Sequence, residues 1–325
     1  MKRVRFGRSG LRVTEYCLGC LTMGRLQAGL GARDGARIIT TAVEHGVNFI
    51  DTAETYGNDE QVKIAVENLE QENPASLADL VIATKTKARS AQDMETFVSR
   101  TLEIFHRDRL DVVSLHNVAD GDDFKHREDA FNRVLEFHDD GIIADIGLTA
   151  HSMAGFSPVL DHAGEFSVIM PIINFKGIGL RGYSLDELQA FLTRVKQKNI
   201  SVYSMKSLGG GHLRNEAVEA INWLRHNPRV DVACVGAKDP VEVLANIHAF
   251  EDTPVPTGIK ESIDRVERRV RIYTHLCEKC GKCAEACTSG ALKFSEKSGP
   301  MIDHETCVIC GYCAGACPKF IIRVV

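Results

Sequence analysis

Eight of the chain's eleven cysteines fall between Cys277 and Cys317, in two runs of identical spacing. Cys277, Cys280, Cys283 and Cys287 read C-x2-C-x2-C-x3-C. Cys307, Cys310, Cys313 and Cys317 repeat the pattern, with Pro318 following. A fold built on this chain must gather these thiols around something. In a short secreted domain such density signals disulfides. In 325 residues that open on "MKRVRFGRSGLRV", with no apolar run after the basic residues, it signals bound metal.

The doubled run resembles the spacing of bacterial two-cluster ferredoxins. In that family the fourth cysteine of each run ligates the other cluster. The resemblance therefore implies one 4Fe–4S cluster on Cys277, Cys280, Cys283 and Cys317, and a second on Cys307, Cys310, Cys313 and Cys287. Gly281 and Gly311 stand where the backbone must turn tightly. Thr288 replaces a proline of the pattern and removes no ligand. The alternative is two zinc sites, which usually show paired C-x-x-C motifs with a longer gap between them. Cys17, Cys20 and Cys234 lie in apolar "EYCLGC" and "VACVG" and read as small core residues.

The preceding residues alternate short apolar runs with helical-period stretches. Strands are expected at 15–19, 48–51, 80–85, 111–116, 144–148, 167–171, 200–205 and 232–236. Between them, "DGARIITTAVEHG" aligns Ile38, Ile39, Ala42 and Val43 on one helix face. "EDAFNRVLEFHDDG" aligns Phe131, Val134, Leu135 and His138 and stops at Gly141. Ser184 with Glu187 forms a capping box. Eight strand–helix pairs imply a parallel, closed (β/α)8 barrel. A doubly wound sheet is the alternative, but no G-x-G-x-x-G turn follows the first strand. The expected fold is α/β, a TIM barrel with a small α+β ferredoxin-like domain. Its parts are the barrel at 1–255, a helical linker at 256–272 and the cysteine-rich domain at 273–325.

Barrels carry chemistry at the C-terminal ends of their strands. Asp51, Lys85 and His116 end adjacent strands here, and Tyr56 follows in "TAETYG". These pieces, with "GRSGLRV", "ATK", "IGLTAHS", "LGGG" and "VGAKDPVEVLANI", resemble the aldo/keto reductase family over roughly residues 3 to 250. The resemblance narrows to members with a C-terminal two-cluster domain. It implies an oxidoreductase acting on a small-molecule carbonyl or alcohol. Tyr56 would be the proton donor, Lys85 would stabilise the phenolate, Asp51 would hold Lys85, and His116 would orient the carbonyl.

The cofactor side departs from the family pattern. Thr149 and Ala150 replace a Ser-Asn pair, Met170 replaces a glutamine, and Met205 stands for a stacking tyrosine. Lys206, Gly209 and Gly210 could hold a phosphate, as could Gly236, Ala237 and Lys238 before the last helix. Glu242 disfavours a 2′-phosphate and points to NAD rather than NADP, with Asn246 retained from the family's "EN" pair. His151 has no counterpart in the family pattern. The substrate pocket is expected to draw on loop residues 117–129. Three readings stay open: an NAD(P)-linked enzyme with cluster-borne electron transfer, a reductase fed by the clusters with or without a flavin, and a non-catalytic electron-transfer or redox-sensing subunit. A protein electron carrier is an expected partner. The net charge of −5 and the lack of a membrane-length apolar run argue against nucleic acid and membrane, and the chain reads as cytoplasmic.

Overall fold

The computed structural model describes residues 1–264, 269–319 and 321–324. The chain opens with an antiparallel hairpin, β1 (Arg3–Phe6) and β2 (Leu11–Thr14). Eight strands follow: β3 (Tyr16–Gly19), β4 (Phe49–Asp51), β5 (Val81–Thr86), β6 (Leu110–Leu115), β7 (Ile143–Thr149), β8 (Val168–Met170), β9 (Ser201–Ser204) and β10 (Val232–Gly236). All eight pair in parallel, and β10 returns to β3 to close the barrel. The strands expected from apolar runs each match one of these within a residue or so at either end.

Each barrel strand is sealed on both faces, which is why it reads as a continuous apolar run. Outward residues such as Leu18, Ile50 and Ile82 pack under the helices. Inward residues, among them Cys17, Phe49, Ala83, Tyr203 and Cys234, fill the interior. The hairpin, unforeseen from sequence, stoppers the N-terminal end: Phe6 lies 4.9 Å from Phe49 and 5.5 Å from Tyr203, ring to ring. Cys17, Cys20 and Cys234 are buried core residues as expected, and burial pushes the Cys17 and Cys20 thiols up.

The helix Ala32–Glu44 buries Ile38, Ile39, Ala42 and Val43 as expected. The helix Glu128–Asp139 is rotated from its expected face. Phe137 is buried with Phe131 and Val134, whereas Leu135 is partly covered and His138 is exposed. Large aromatic area decides that rotation over a polar imidazole. The Ser184 capping box and the left-handed Gly141 stop are both present.

The expected linker helix spans Thr257–Asp264, and residues 265–268 lie outside the described set. It does not reach 272. Residues Val270–Ile272 form β11, which pairs antiparallel with β14 (Ile322–Val324), so Val270 is buried within the cysteine-rich module. A second ribbon joins β12 (Leu292–Ser295) to β13 (Gly299–Ile302). Each cysteine run turns through two left-handed residues, Lys279 and Gly281 in the first and Ile309 and Gly311 in the second. Among the described residues, no helix is long and apolar enough to cross a membrane.

Candidate active site

The C-terminal ends of β4, β5 and β6 place Asp51, Lys85 and His116 side by side, and a short 3-10 turn at Glu54–Tyr56 brings in the phenol. Lys85 is buried, so all three ammonium protons need acceptors. They find Asp51 Oδ2 at 2.7 Å, the Thr52 carbonyl at 2.6 Å and the Tyr56 hydroxyl at 3.2 Å. The other Asp51 oxygen accepts from Tyr203 Oη at 3.0 Å. Sequence reading did not single out Tyr203. Its only signal was a tyrosine at an inward position of a buried strand, where the hydroxyl needs a partner.

Burial raises the Asp51 carboxyl above its usual range, and the adjacent Lys85 opposes that shift. Burial, followed by the Asp51 charge, pushes the Tyr56 phenol well above its ordinary value. The sequence expectation that Lys85 would ease phenol ionisation is thus outweighed in this arrangement. Tyr56 is a held proton, with the cation that would stabilise its anion already in place. Burial, then the Lys85 and Lys87 charges, drive His116 well below 6.5, so its ring is neutral. His116 Nδ1 meets Thr55 Oγ1 at 3.4 Å, while Arg127 Nη1 donates to the His116 carbonyl at 2.9 Å. The expected pocket loop therefore contributes a clamp: Arg127, held by Asp123, fixes the backbone at His116.

The cysteine-rich module rests on this end of the barrel. His212 Nε2 donates to the Cys307 carbonyl at 2.6 Å. A Cβ on Gly210 would lie 2.1 Å from the Val308 carbonyl oxygen, and one on Gly311 would lie 1.8 Å from the Leu26 carbonyl oxygen. Both glycines also have positive φ, 71° and 79°. Tyr312, between Cys310 and Cys313, enters the mouth. Its hydroxyl is 3.4 Å from His116 Nε2, and its ring lies 5.8 Å from that of His151. Tyr312 also packs on the small cluster formed by Leu26, Ala53 and Tyr56.

The thiol charges that act on Cys283 include those of Cys277 and of Cys317, which is remote in sequence. Those felt by Cys307 and Cys313 include Cys287. Cys277, Cys280, Cys283 and Cys317 line one cavity. Backbone N–H groups point at sulfur, from Lys279 to Cys277 at 3.3 Å and from Leu292 to Cys287 at 3.2 Å. Among the described residues, no three His, Cys, Asp or Glu side chains converge as one metal ion requires. The donor set suits clusters of several irons better than single zinc ions.

The nicotinamide residues expected from sequence are less well placed. Thr149 Oγ1 accepts from the Asn117 N–H at 2.9 Å, and Ala150 and Met170 are buried and apolar. The Gly209–Gly211 turn faces Ile178 and Val308, and Lys206 lies within the field of Cys310 and Cys307. A Cβ on Gly236 would meet Thr22 Oγ1 at 2.0 Å, and Ala237 is core. Glu242 Oε2 accepts from the Lys238 N–H at 2.9 Å, closing the turn that starts the helix Pro240–Phe250. Asn246 donates to Tyr16 Oη at 3.1 Å. Of the places expected to hold a cofactor phosphate, the Gly210 turn is the one against which the module's Val308 lies.

The closed barrel and its strand-end constellation define an oxidoreductase of the aldo/keto reductase class. The chain belongs to that family: the aldo/keto reductase family model matches residues 15–248, and a 4Fe-4S dicluster domain model matches residues 276–321. An uncharacterized oxidoreductase, YqkF, of Bacillus subtilis (strain 168) is 26% identical over 165 residues, covering 46% of this chain and 49% of its own. The matched region thus spans about half of that relative. The tail is 38% identical over 53 residues to the polyferredoxin-like subunit of an aliphatic sulfonate oxidoreductase from Pyrococcus furiosus, covering 15% of this chain and 31% of that protein. The solved aldo-keto reductase AKR11C1 of Bacillus halodurans superimposes with a TM-score of 0.64 at 18% identity, covering 82% of this chain and 96% of its own.

Proposed function

We propose that the barrel interconverts a carbonyl and an alcohol on a small molecule, and that its electrons are exchanged through the iron–sulfur module rather than by a resident nicotinamide. The observation that carries this reading is the Lys85 ammonium, bonded at once to Asp51, Thr52 and Tyr56. Reduction of the carbonyl takes two electrons, passed singly from the external donor by way of the module, and two protons: the Tyr56 hydroxyl gives one to the oxygen, Lys85 holding the phenolate left behind, and the other reaches the carbon from solvent. Neutral His116, with Thr55 at Nδ1, offers an Nε2–H to the same oxygen. Alcohol oxidation runs these proton movements in reverse.

The proposed ligand sets are Cys277, Cys280, Cys283 and Cys317 for one cluster and Cys307, Cys310, Cys313 and Cys287 for the other. When bound, such clusters supply one-electron exchange. The first run is the module's open side: Glu278, Lys279, Cys280 and Lys282 are exposed. This exposed side is the one we assign to a protein electron carrier. The NAD reading drawn from Glu242 meets Val308 at the Gly210 turn, where a cofactor phosphate was expected.

The test uses anaerobically purified protein, reduced methyl viologen as donor, and butanal and diacetyl as probe carbonyls. Tyr56→Phe is expected to lower turnover by about 10²-fold or more at unchanged iron and sulfide content. Equal turnover would remove the acid role.

A further inference from the structure

The two cysteine runs are near-copies whose intervening residues differ in a consistent way. The first reads C-E-K-C-G-K-C-A-E-A-C and the second C-V-I-C-G-Y-C-A-G-A-C. Each of the four charged positions of the first run, Glu278, Lys279, Lys282 and Glu285, is apolar, aromatic or glycine in the second. The four charges are exposed, whereas Val308 and Ile309 are buried and Tyr312 points into the barrel mouth. Two sides of one small module have thus been built for different surroundings, one for water and one for the barrel.

The barrel end is shaped to match. Gly210 has no room for a side chain beside the Val308 carbonyl, and Gly311 has none beside Leu26. His212 holds the Cys307 carbonyl. The segment Cys307–Cys313 therefore covers two places at once. Its start lies on the glycine turn, where a dinucleotide phosphate would be held. Its Tyr312 hydroxyl is within hydrogen-bond reach of His116 Nε2, the position that a substrate oxygen must take.

We propose that Tyr312 is an internal stand-in for the substrate alcohol, and that the docked module and a barrel-bound dinucleotide exclude one another. The module is then a gate on its own active site. It opens when a ligand binds the barrel more tightly than Cys307–Cys313 does, and by linkage the ligand releases the module to the same degree. The inference rests on the carbonyl-site reading above only for the role of the Tyr312 hydroxyl. The covering of the glycine turn stands apart from it.

The test is binding rather than turnover. ADP-ribose, which lacks the hydride-carrying ring, is titrated calorimetrically into anaerobic holoprotein, and hydrogen–deuterium exchange follows residues 206–213 and 307–313. The wild type is expected to bind weakly and to lose protection at 307–313 as it saturates. Tyr312→Ala is expected to bind about tenfold more tightly, because less of the protein is held closed. Tyr312→Phe keeps the ring and should gain only a few-fold. Leu26→Glu, made on the barrel side, should reproduce the gain without touching the cysteine run and guards against a Tyr312 variant that loses its iron. Equal affinity in wild type, Tyr312→Ala and Leu26→Glu, with 307–313 protected throughout, would overturn the gate. Absence of ADP-ribose binding in all of them would overturn it equally. Neither result depends on whether Tyr56→Phe is active, so failure of the gate and failure of the carbonyl reading are told apart.

Discussion

Tyr203→Phe removes one oxygen atom and tests whether the buried ion pair is held from its far side. Tyr203 is fully buried, and its hydroxyl donates to Asp51 Oδ1 at 3.0 Å. Asp51 Oδ2 is taken by Lys85. Without the phenol, Oδ1 faces the apolar interior of the barrel, lined by Phe49 and Ala83. A hydrogen bond to a charged group contributes about 1.5–3 kcal/mol, and a neutral one about 0.5–1.5 kcal/mol. Tyr16 provides the comparison: it is equally buried, but its hydroxyl pairs with the neutral Asn246 amide at 3.1 Å. For a barrel of this size, each kcal/mol moves Tm by about 2–4 °C. Tyr203→Phe should therefore lower Tm by about 3–12 °C, and Tyr16→Phe by about 1–6 °C.

The kinetic consequence has a sign. The Tyr203 bond lowers the Asp51 pKa, which burial has already raised. Losing the bond raises it further, so Asp51 takes up its proton at a higher pH and loosens its hold on Lys85. The acid limb of the kcat profile should move to higher pH in Tyr203→Phe and stay in place in Tyr16→Phe. Scanning calorimetry at fixed rate and a pH series of turnover read the two effects. Equal Tm losses in both variants, with an unmoved acid limb, would refute the idea that Asp51 is charged and held by Tyr203.

Two further outcomes are expected. Burial, then the Lys206 and Lys87 charges, lower His151 to about 3, and its Nδ1 is buried with no hydrogen-bond partner among the described residues, so the native ring stays neutral where an unfolded one is protonated. Stability is then lost as pH falls below the unfolded value of about 6.5. The loss is about 1.4 kcal/mol at pH 5.5 for a sealed ring, and about 1 kcal/mol for this partly exposed one. Urea midpoints at pH 7.5 and 5.5 should converge by that amount in His151→Gln. Cys287→Ala and Cys317→Ala test the crossed ligand sets. Each should halve the iron content, with the spectrum of the surviving cluster differing between the two, whereas ligation within each run would give the opposite assignment.

The barrel and the gathering of Asp51, Tyr56, Lys85 and His116 at one end of it were legible because their signals are local. Strand ends announce themselves as apolar runs that stop, and Asp51 and Tyr56 belong to one continuous turn. Tyr203 was not legible as a partner of Asp51, since only barrel closure brings together residues 152 apart in sequence. The face of Glu128–Asp139 was misjudged because helical period alone does not rank Phe137 above Leu135 and His138. The glycine turn at Gly209–Gly211 read as a phosphate cradle. Its three glycines equally suit the approach of another backbone, and Val308 is what the structure brings there. Tyr312 was not singled out, although the exchange of Lys282 for a tyrosine at the matching place in the second run is visible in the sequence.

That exchange bears on how the two halves communicate. Tyr312 is bonded directly to Cys313 and stands two residues from Cys310, with its approach set by the left-handed turns at Ile309 and Gly311. Ile309 is β-branched, and a positive φ of 47° is costly for it, by about 1–3 kcal/mol. A turn of that kind persists only where its surroundings over-determine it, and here those surroundings are Cys307 and Cys310 on one side and the barrel mouth on the other. The direction of the Tyr312 ring is thus a readout of how the Cys307–Cys313 run is held. Any change that relaxes this run, such as Ile309→Gly, should free the hydroxyl from His116 and uncover Tyr56 and Lys85. The first run makes the same two turns with Lys279 and Gly281, but it carries Lys282 into solvent and can relax without consequence for the barrel.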